Sequence, residues 1–140
     1  MILKKVFEIK NLIELQTVAE ELIILMKEYK IFLFFGEMGS GKTTLIGQLC
    51  KKIGIERHSS PTYGIINNYL STSFGEIYHV DCYRFNDESE AISCGLIELI
   101  DENEFCFIEW PEKIQNLLPE KYVKVTFKVL NNIREITLTL

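Results

Sequence analysis

The chain has 140 residues, of which 47 % are hydrophobic, and its formal net charge is −5 at pH 7. This length predicts a single domain over residues 1–140, with enough apolar side chains for a core that needs no metal or disulfide. The acidic balance argues against a dedicated nucleic-acid binder, which usually carries a basic stripe. Any RNA is therefore expected to be held by another protein.

Cysteine usage and apolar runs indicate a cytoplasmic protein. No apolar run approaches the roughly 20 residues that a membrane-spanning helix needs. The opening residues MILKKVFEIK alternate charged and apolar side chains, which is typical of a strand rather than a signal peptide. The four cysteines form no C-x-x-C pair, and reduced thiols are the simplest interpretation. We therefore expect a protein of the reducing cytoplasm, without membrane contact.

The first part of the chain predicts a strand, a helix, a buried strand and a second helix. ILKKVFEI alternates as a strand does, and a helix over about residues 12–28 follows, with Asn11 as its N-cap and Glu14 three residues on. KIFLFF is short and uninterrupted, which is typical of a parallel strand buried on both faces. TTLIGQLCKKIG predicts a helix that stops at Gly54, and a polar loop is expected from Ile55 to Thr62.

The remaining chain predicts two hairpins, a helical region and a further buried strand. YGIINNYL and GEIYHVDCYRF predict strands joined at STSFG, and DESEAISCGLIELIDEN predicts short helices broken near Gly95. EFCFIEW predicts a second buried strand, and KYVKVTFKVL and IREITLTL predict a hairpin about NN. This order predicts an α/β fold with three layers: a mixed central sheet, helices on both faces and a C-terminal β-hairpin.

A glycine-rich segment, GEMGSGKT, joins the first buried strand to the second helix. It fits G-x-x-x-x-G-K-[ST], in which backbone N–H groups cradle phosphates while the lysine reaches the β- and γ-phosphates and the hydroxyl ligates Mg²⁺. Lys42 and Thr43 occupy those two positions. Because the segment lies between a strand and a helix N-terminus, where phosphate binding needs it, the sequence predicts a P-loop NTPase-like fold that binds a nucleoside triphosphate with Mg²⁺.

Further candidate residues lie near the ends of predicted strands. Asp81 follows IYHV and Glu109 follows FCFI, and either is placed to hold Mg²⁺ or to position the attacking water. Thr62, in SSPTY, is a candidate for a switch hydroxyl that senses the γ-phosphate. We interpret His79 as a structural histidine rather than a base. Trp110, the single tryptophan, either stacks on a base or partner or covers the end of the sheet.

Four segments in this order, GEMGSGKTT, SPTY, YHVDCYR and EWPEK, resemble the bacterial TsaE (YjeE) family, from about the first helix to residue 119. The resemblance implies a small P-loop ATPase, weak alone and stimulated by its partners TsaB and TsaD. Such a protein is needed to form N6-threonylcarbamoyladenosine at position 37 of tRNAs reading ANN codons. It would meet tRNA only indirectly, through that complex.

The resemblance also implies roles for individual residues. Thr43 and Glu109 would ligate Mg²⁺, and Asp81 would be the second acidic group at the γ-phosphate. Adenine would lie near Asn11 and near Ile133, largely against backbone. The expected ATP-binding residues are Gly39, Ser40, Gly41, Lys42, Thr43, Thr44, Asn11 and Ile133, and the expected catalytic residues are Asp81, Glu109, Lys42 and Thr62.

Two functions of other classes stay open. A small nucleoside or metabolite kinase would share the P-loop but needs a lid with arginines, and the segment from Thr62 to Asp101 contains one, Arg84. That arginine is interpreted either as a phosphate or partner contact or as a member of a surface ion pair. A nucleotide-dependent binding module with little hydrolysis would use Thr62 as its switch. A GTPase is disfavoured because no N-K-x-D-like guanine-reading segment is present.

Overall fold

The computed structural model describes residues 3–58 and 66–140. The helices are α1 (Leu12–Leu25), α2 (Lys42–Lys52), α3 (Glu88–Ser93) and α4 (Leu96–Asp101), with short 3-10 segments at Cys82–Arg84 and Pro111–Leu117. The strands are β1 (Lys4–Ile9), β2 (Ile31–Phe35), β3 (Ile55–His58), β4 (Ile66–Ser71), β5 (Gly75–Asp81), β6 (Phe105–Glu109), β7 (Val123–Leu130) and β8 (Ile133–Thr139).

The described strands form one mixed sheet, with eight members in the order β1-β8-β7-β2-β6-β5-β4-β3. Its centre is parallel, because β2 pairs in parallel with β6 and β7, and β5 pairs in parallel with β6. The other pairings between described strands are antiparallel. The predicted mixed α/β sheet is therefore confirmed.

Strand β2 is buried on both faces, as its uninterrupted apolar sequence predicts. Phe32 and Phe34 belong to a core cluster that contains the apolar side chains of α1 and α2. Ile31 and Leu33 belong to a second cluster with side chains of α3, α4 and the 3-10 segment that begins at Pro111. Since successive side chains of a strand point to opposite faces, helices cover both faces of the sheet and give the predicted three layers.

Helix α1 begins where its capping residues predict. The Asn11 side chain accepts a hydrogen bond from the Glu14 amide at 2.9 Å, and the Glu14 carboxylate accepts one from the Lys10 amide at 2.8 Å. These bonds satisfy amides that have no partner within the first turn of a helix. The helix ends at Leu25, a few residues before the predicted end, where the following amides change to shorter-range bonds such as Glu28 to Leu25.

Both predicted hairpins are present, and the helical region is interrupted as expected. β4 pairs with β5, and β7 pairs with β8 across a two-residue turn at Asn131 and Asn132, whose φ angles are 47° and 69°. Asparagine tolerates this left-handed region, which the tight hairpin turn requires. Gly95, with φ of 91°, separates α3 from α4. Across the described residues, no helix has the length and apolarity to cross a membrane.

The predicted polar loop from Ile55 is wrong over its first residues, which form strand β3. β3 pairs antiparallel with β4, and the register shifts between Ile55 and Arg57. An edge strand can be polar, because one of its sides faces no other strand. Its existence depends on pairing with β4, which local composition does not report. The rest of the predicted loop, including Thr62, lies outside the described residues.

Candidate functional site

The carboxyl ends of three parallel strands meet at one edge of the sheet. β2 leads directly into the glycine-rich loop, β6 ends at Glu109 and β5 ends at Asp81. In the sheet register, Phe34 lies opposite Glu109, and Glu109 lies opposite Asp81. Crevices outside the carboxyl ends of parallel strands are where α/β proteins bind ligands. The sequence-predicted loop and both candidate carboxylates are therefore neighbours.

The loop owes its shape to its glycines. Gly39 and Gly41 have φ angles of 80° and 110°, a region that side chains with a Cβ rarely adopt. At Gly36 the constraint is space, since an added Cβ would lie 2.7 Å from Ser40 Oγ and 2.9 Å from Phe127 Cβ. The loop is thereby packed against β7 on one side. On the other side, an added Cβ at Gly39 would meet no atom within 4 Å, which leaves room for a ligand.

Helix α2 begins directly after the loop, at Lys42. Its N-cap is Gly41, so no side chain of the cap residue bonds to the first amides of the helix. The first amides of a helix point outward along its axis and carry partial positive charge, so they bind anions. In front of them lies a cavity of about 270 Å³, which we call the phosphate cavity. Its lining comprises Met38, Gly39, Gly41, Lys42, Thr43 and Thr44 of the loop and helix, and Asp81, Tyr83, Glu109, Trp110 and Arg134.

Lys42 is buried beside the loop. Its ammonium donates to the carbonyl of Gly36 and lies 3.7 Å from the centre of the Trp110 ring. Burial lowers the pKa of Lys42, although the carboxylates of Glu109, Glu112 and Asp81 act in the opposite direction. Trp110 thus lies against the P-loop lysine, and the quadrupole of its ring stabilises the cation over its face.

Glu109 lies between Thr43 and His79. The Thr43 hydroxyl donates to Oε1 of Glu109 at 3.1 Å, and Nε2 of His79 lies 2.7 Å from Oε2. Burial alone would raise the pKa of Glu109, but the bonds and charges of His79, Thr43 and Lys42 outweigh it and the pKa is lowered. Glu109 is therefore a carboxylate at neutral pH.

The donor set suits Mg²⁺ bound together with a nucleotide. Thr43 and Glu109 bring a hydroxyl and a carboxylate oxygen within 3.1 Å of each other. Residues 3–58 and 66–140 contain no group of three or more His, Cys, Asp or Glu side chains that would hold a metal alone. Mg²⁺ in phosphate-binding sites takes one or two protein ligands, with phosphate and water oxygens completing its shell. The residues present fit that arrangement.

Asp81 and Arg84 occupy less enclosed positions. Asp81 lines the phosphate cavity but is exposed, and its carboxylate accepts a hydrogen bond from the Tyr83 amide at 3.0 Å. Arg84 is exposed on the neighbouring 3-10 segment and is absent from the cavity lining. The centre of the Tyr83 ring lies 5.0 Å from that of Trp110, and both residues line the phosphate cavity.

A smaller cavity of about 120 Å³ lies on the other side of Gly41, and we call it the side cavity. Asn11 lines it, as do Asn132 and Arg134 of the final hairpin. Ile133 does not line it, because alternate residues of β8 face opposite sides of the sheet. Ser40 likewise lies away from the phosphate cavity: its side chain is buried and lines a neighbouring space of about 400 Å³. The predicted ligand roles of these residues stay predictions.

Sequence reasoning missed Arg134. Its guanidinium lies 3.5 Å from the Gly39 carbonyl oxygen, and its side chain lines both the phosphate cavity and the side cavity. The sequence signal that could have indicated it is the single arginine of the predicted strand IREITLTL, next to Ile133, which was predicted to lie near adenine. The contact between His79 and Glu109 was also missed, since the two residues are far apart in the chain.

The glycine-rich loop, the parallel strands that end beside it and the pairing of Thr43 with Glu109 define a protein of the P-loop class. A crystal structure of YdiB from Bacillus subtilis has the same fold, with a TM-score of 0.79 and 27 % identity over 99 % of this chain and 86 % of YdiB. The family model described as "Threonylcarbamoyl adenosine biosynthesis protein TsaE" matches residues 9–136. The chain belongs to the TsaE family.

Proteins named tRNA threonylcarbamoyladenosine biosynthesis protein TsaE are similar over most of their length. The protein from Borreliella burgdorferi is 37 % identical over 78 % of this chain and 80 % of its own. The Haemophilus influenzae protein is 35 % identical over 86 % of this chain and 77 % of its own. The Bacillus subtilis protein is 33 % identical over 90 % of this chain and 79 % of its own. The family resemblance stated from the motifs is thus confirmed.

Proposed function

We propose that this protein is a Mg²⁺-dependent ATPase of the cytoplasm that serves formation of threonylcarbamoyladenosine at position 37 of tRNAs reading ANN codons. Membership of the TsaE family and the names of its relatives support the pathway. The observation that carries the ATPase proposal is the Thr43–Glu109 pair beside the glycine-rich loop. We further propose that TsaB and TsaD are its partners, that they stimulate weak intrinsic hydrolysis, and that tRNA is reached through them.

Phosphate binding rests on the loop and on the start of α2. The amides of Gly39 to Thr44 and the positive end of α2 attract the phosphate chain. Lys42 exchanges the Gly36 carbonyl for phosphate oxygens, which offer a charged partner instead of a neutral one. Thr43 and Glu109 would hold Mg²⁺, whose charge would offset that of the β- and γ-phosphates.

The two carboxylates have separate roles in this proposal. Glu109 is buried and bonded to Thr43, so it belongs to the metal side of the site. Asp81 is exposed at the cavity, and its carboxylate orients a water molecule for in-line attack on the γ-phosphate. Because the phosphate cavity is open, hydrolysis by the isolated protein is expected to be slow. A partner that covers the cavity would exclude bulk water and hold the loop and carboxylates in place.

The proposal is tested by following radiolabelled phosphate from γ-labelled ATP with Mg²⁺, first with the protein alone and then with its cognate TsaB–TsaD pair. We expect slow release of free phosphate alone and faster release with the pair. Label on a nucleoside or other acceptor, without a response to the pair, would instead identify a kinase. Binding of ATP without release of label under either condition would identify a nucleotide-dependent binding module.

Glu109→Gln separates chemistry from binding in the same assay. The amide keeps the size of the side chain but removes the anionic metal ligand, so hydrolysis should fall about 100-fold while nucleotide affinity changes less. Glu102→Gln is the matched control, because Glu102 is an exposed carboxylate before β6, at the end of that strand remote from the loop. Turnover by Glu109→Gln at the control rate would contradict the assignment.

A further inference from the structure

We propose that His79 is a positioning residue that holds Glu109 so that one carboxylate oxygen faces Thr43 and the Mg²⁺ position. His79 Nε2 lies 2.7 Å from Oε2 of Glu109, and Oε1 of the same carboxylate accepts from Thr43. The two oxygens thus have different partners, and rotation of the carboxylate would break both bonds. The inference rests on the proposed function, since it assigns a residue to the site that binds Mg²⁺ with ATP.

The sheet places His79 where it can do this. β5 and β6 pair in parallel, with His79 opposite Phe107 and Asp81 opposite Glu109. Residues two apart on a strand share a face, so His79 and Glu109 lie on the same face of neighbouring strands. Phe107 belongs to the cluster that contains the α2 side chains. This is therefore the face on which α2 presents Thr43.

Burial makes the histidine contact matter. The side chains of His79 and Glu109 are 12 % and 6 % exposed. A carboxylate with so little access to water loses most of its hydration, which hydrogen-bond donors must replace. Thr43 satisfies one oxygen and His79 the other. Without His79, Oε2 would have to find another donor, and Glu109 would turn away from Thr43.

The role needs a hydrogen-bond donor and not a change of charge. Glu109 is a carboxylate and can only accept, so Nε2 of His79 donates the hydrogen bond between them. The Tyr69 hydroxyl lies 3.5 Å from Nδ1, the other ring nitrogen of His79. Partners behind metal ligands usually act in this way, and their loss lowers metal affinity or activity about 10- to 100-fold.

The test measures binding of a non-hydrolysable ATP analogue by titration calorimetry over a range of Mg²⁺ concentrations. His79→Leu keeps the bulk of the side chain without the donor, and we expect it to raise the Mg²⁺ concentration for half-maximal binding at least tenfold. His79→Gln places an amide donor near the position of Nε2 and should stay within about threefold of the wild type. Tyr78→Phe is the control, because Tyr78 lies on the opposite face of β5 and bonds to Glu76.

An unchanged Mg²⁺ requirement in His79→Leu would overturn the inference, as would equal losses in the leucine and glutamine variants. If His79→Leu does not fold, His79→Asn replaces it, because its shorter amide falls short of Glu109. A wild-type protein that binds the analogue independently of Mg²⁺ would overturn the proposed function and this inference together. A Mg²⁺-dependent wild type with unaffected variants would overturn this inference alone.

Discussion

At the scale of single residues, the site depends on how Glu109 is kept ionised. Burial favours the protonated acid, whereas His79, Thr43 and Lys42 favour the carboxylate and lower its pKa. Proteins use such opposed effects to keep a buried group charged. The same balance links the metal ligand to the stability of the fold, because a group whose pKa differs between folded and unfolded chains makes stability depend on pH.

Glu109 should therefore contribute to acid unfolding. Its pKa in the folded protein lies below the ordinary value of 4.5, so its contribution is present above that pH and is lost as the pH falls through the folded value. We expect the difference in free energy of unfolding between wild type and Glu109→Gln to be largest at pH 7 and to shrink below about pH 4.5. Urea unfolding at pH 7, 5, 4 and 3.5 measures it. A constant difference would contradict the lowered pKa.

Arg134 is the other residue whose position suggests a measurable effect. It lines both cavities and contacts the loop at Gly39, so we expect its charge to act on the nucleotide before hydrolysis begins. Arg134→Gln should weaken binding of ADP and ATP alike, by about tenfold, the order of one charge-assisted hydrogen bond.

One control variant makes the Arg134 measurement specific. Arg84→Gln removes an exposed arginine that lines neither cavity and should leave both affinities unchanged. Equilibrium binding of ADP and ATP is compared in the two variants and the wild type. Loss of ATP binding with ADP binding intact would place Arg134 at the γ-phosphate, contrary to this prediction.

At the scale of elements, the residue at the start of α1 both caps the helix and lines the side cavity. Asn11 caps the helix through Glu14 and also lines the cavity. Asn11→Ala should cost about 1 kcal/mol of unfolding free energy, because loss of the capping oxygen leaves the Glu14 amide without its partner. Asn11→Ser keeps a capping oxygen and should recover most of that loss. Chemical denaturation measures both, and equal stabilities of the serine and alanine variants would show that the cap contributes nothing.

Elements were predictable from sequence where the local pattern is tied to burial or to a backbone requirement. β2 is an uninterrupted apolar run, and the loop is marked by glycines that its φ angles require. β3 was not predictable, because its pairing with β4 is a tertiary property of a polar edge strand. The contacts of Arg134 with Gly39 and of His79 with Glu109 join distant segments. The spacing of residues within one segment does not predict which strand will lie beside which loop in the folded protein.

At the scale of the whole molecule, the burial of thiols reports on the integrity of the core. All four cysteines are free. Burial raises the pKa of Cys50 to about 11 and that of Cys106 to about 12, and it also raises the pKa of Cys82 and Cys94. Thiolates are the reactive form, so thiols of the folded protein should react slowly at pH 8.

A thiol-labelling experiment checks this. Mass spectrometry should show Cys82 and Cys106, which are buried in the second core cluster, modified only at the rate at which the protein unfolds globally. Added urea should accelerate labelling at both positions to the same extent. Prompt labelling of either cysteine without denaturant would show that the layer formed by α3 and α4 opens on its own.

The sheet order has a consequence for how the protein is made. β1, near the start of the sequence, pairs with β8, near its end, and β8 also pairs with β7. Such distant pairings are slow to form, because closing a long loop costs chain entropy before the contacts between the two strands can offset it. During synthesis on the ribosome, β1 emerges well before β8 and cannot pair with it until β8 has left the exit tunnel. Since β8 also carries Arg134 to the loop, the nascent chain acquires its complete phosphate cavity only when β8 docks.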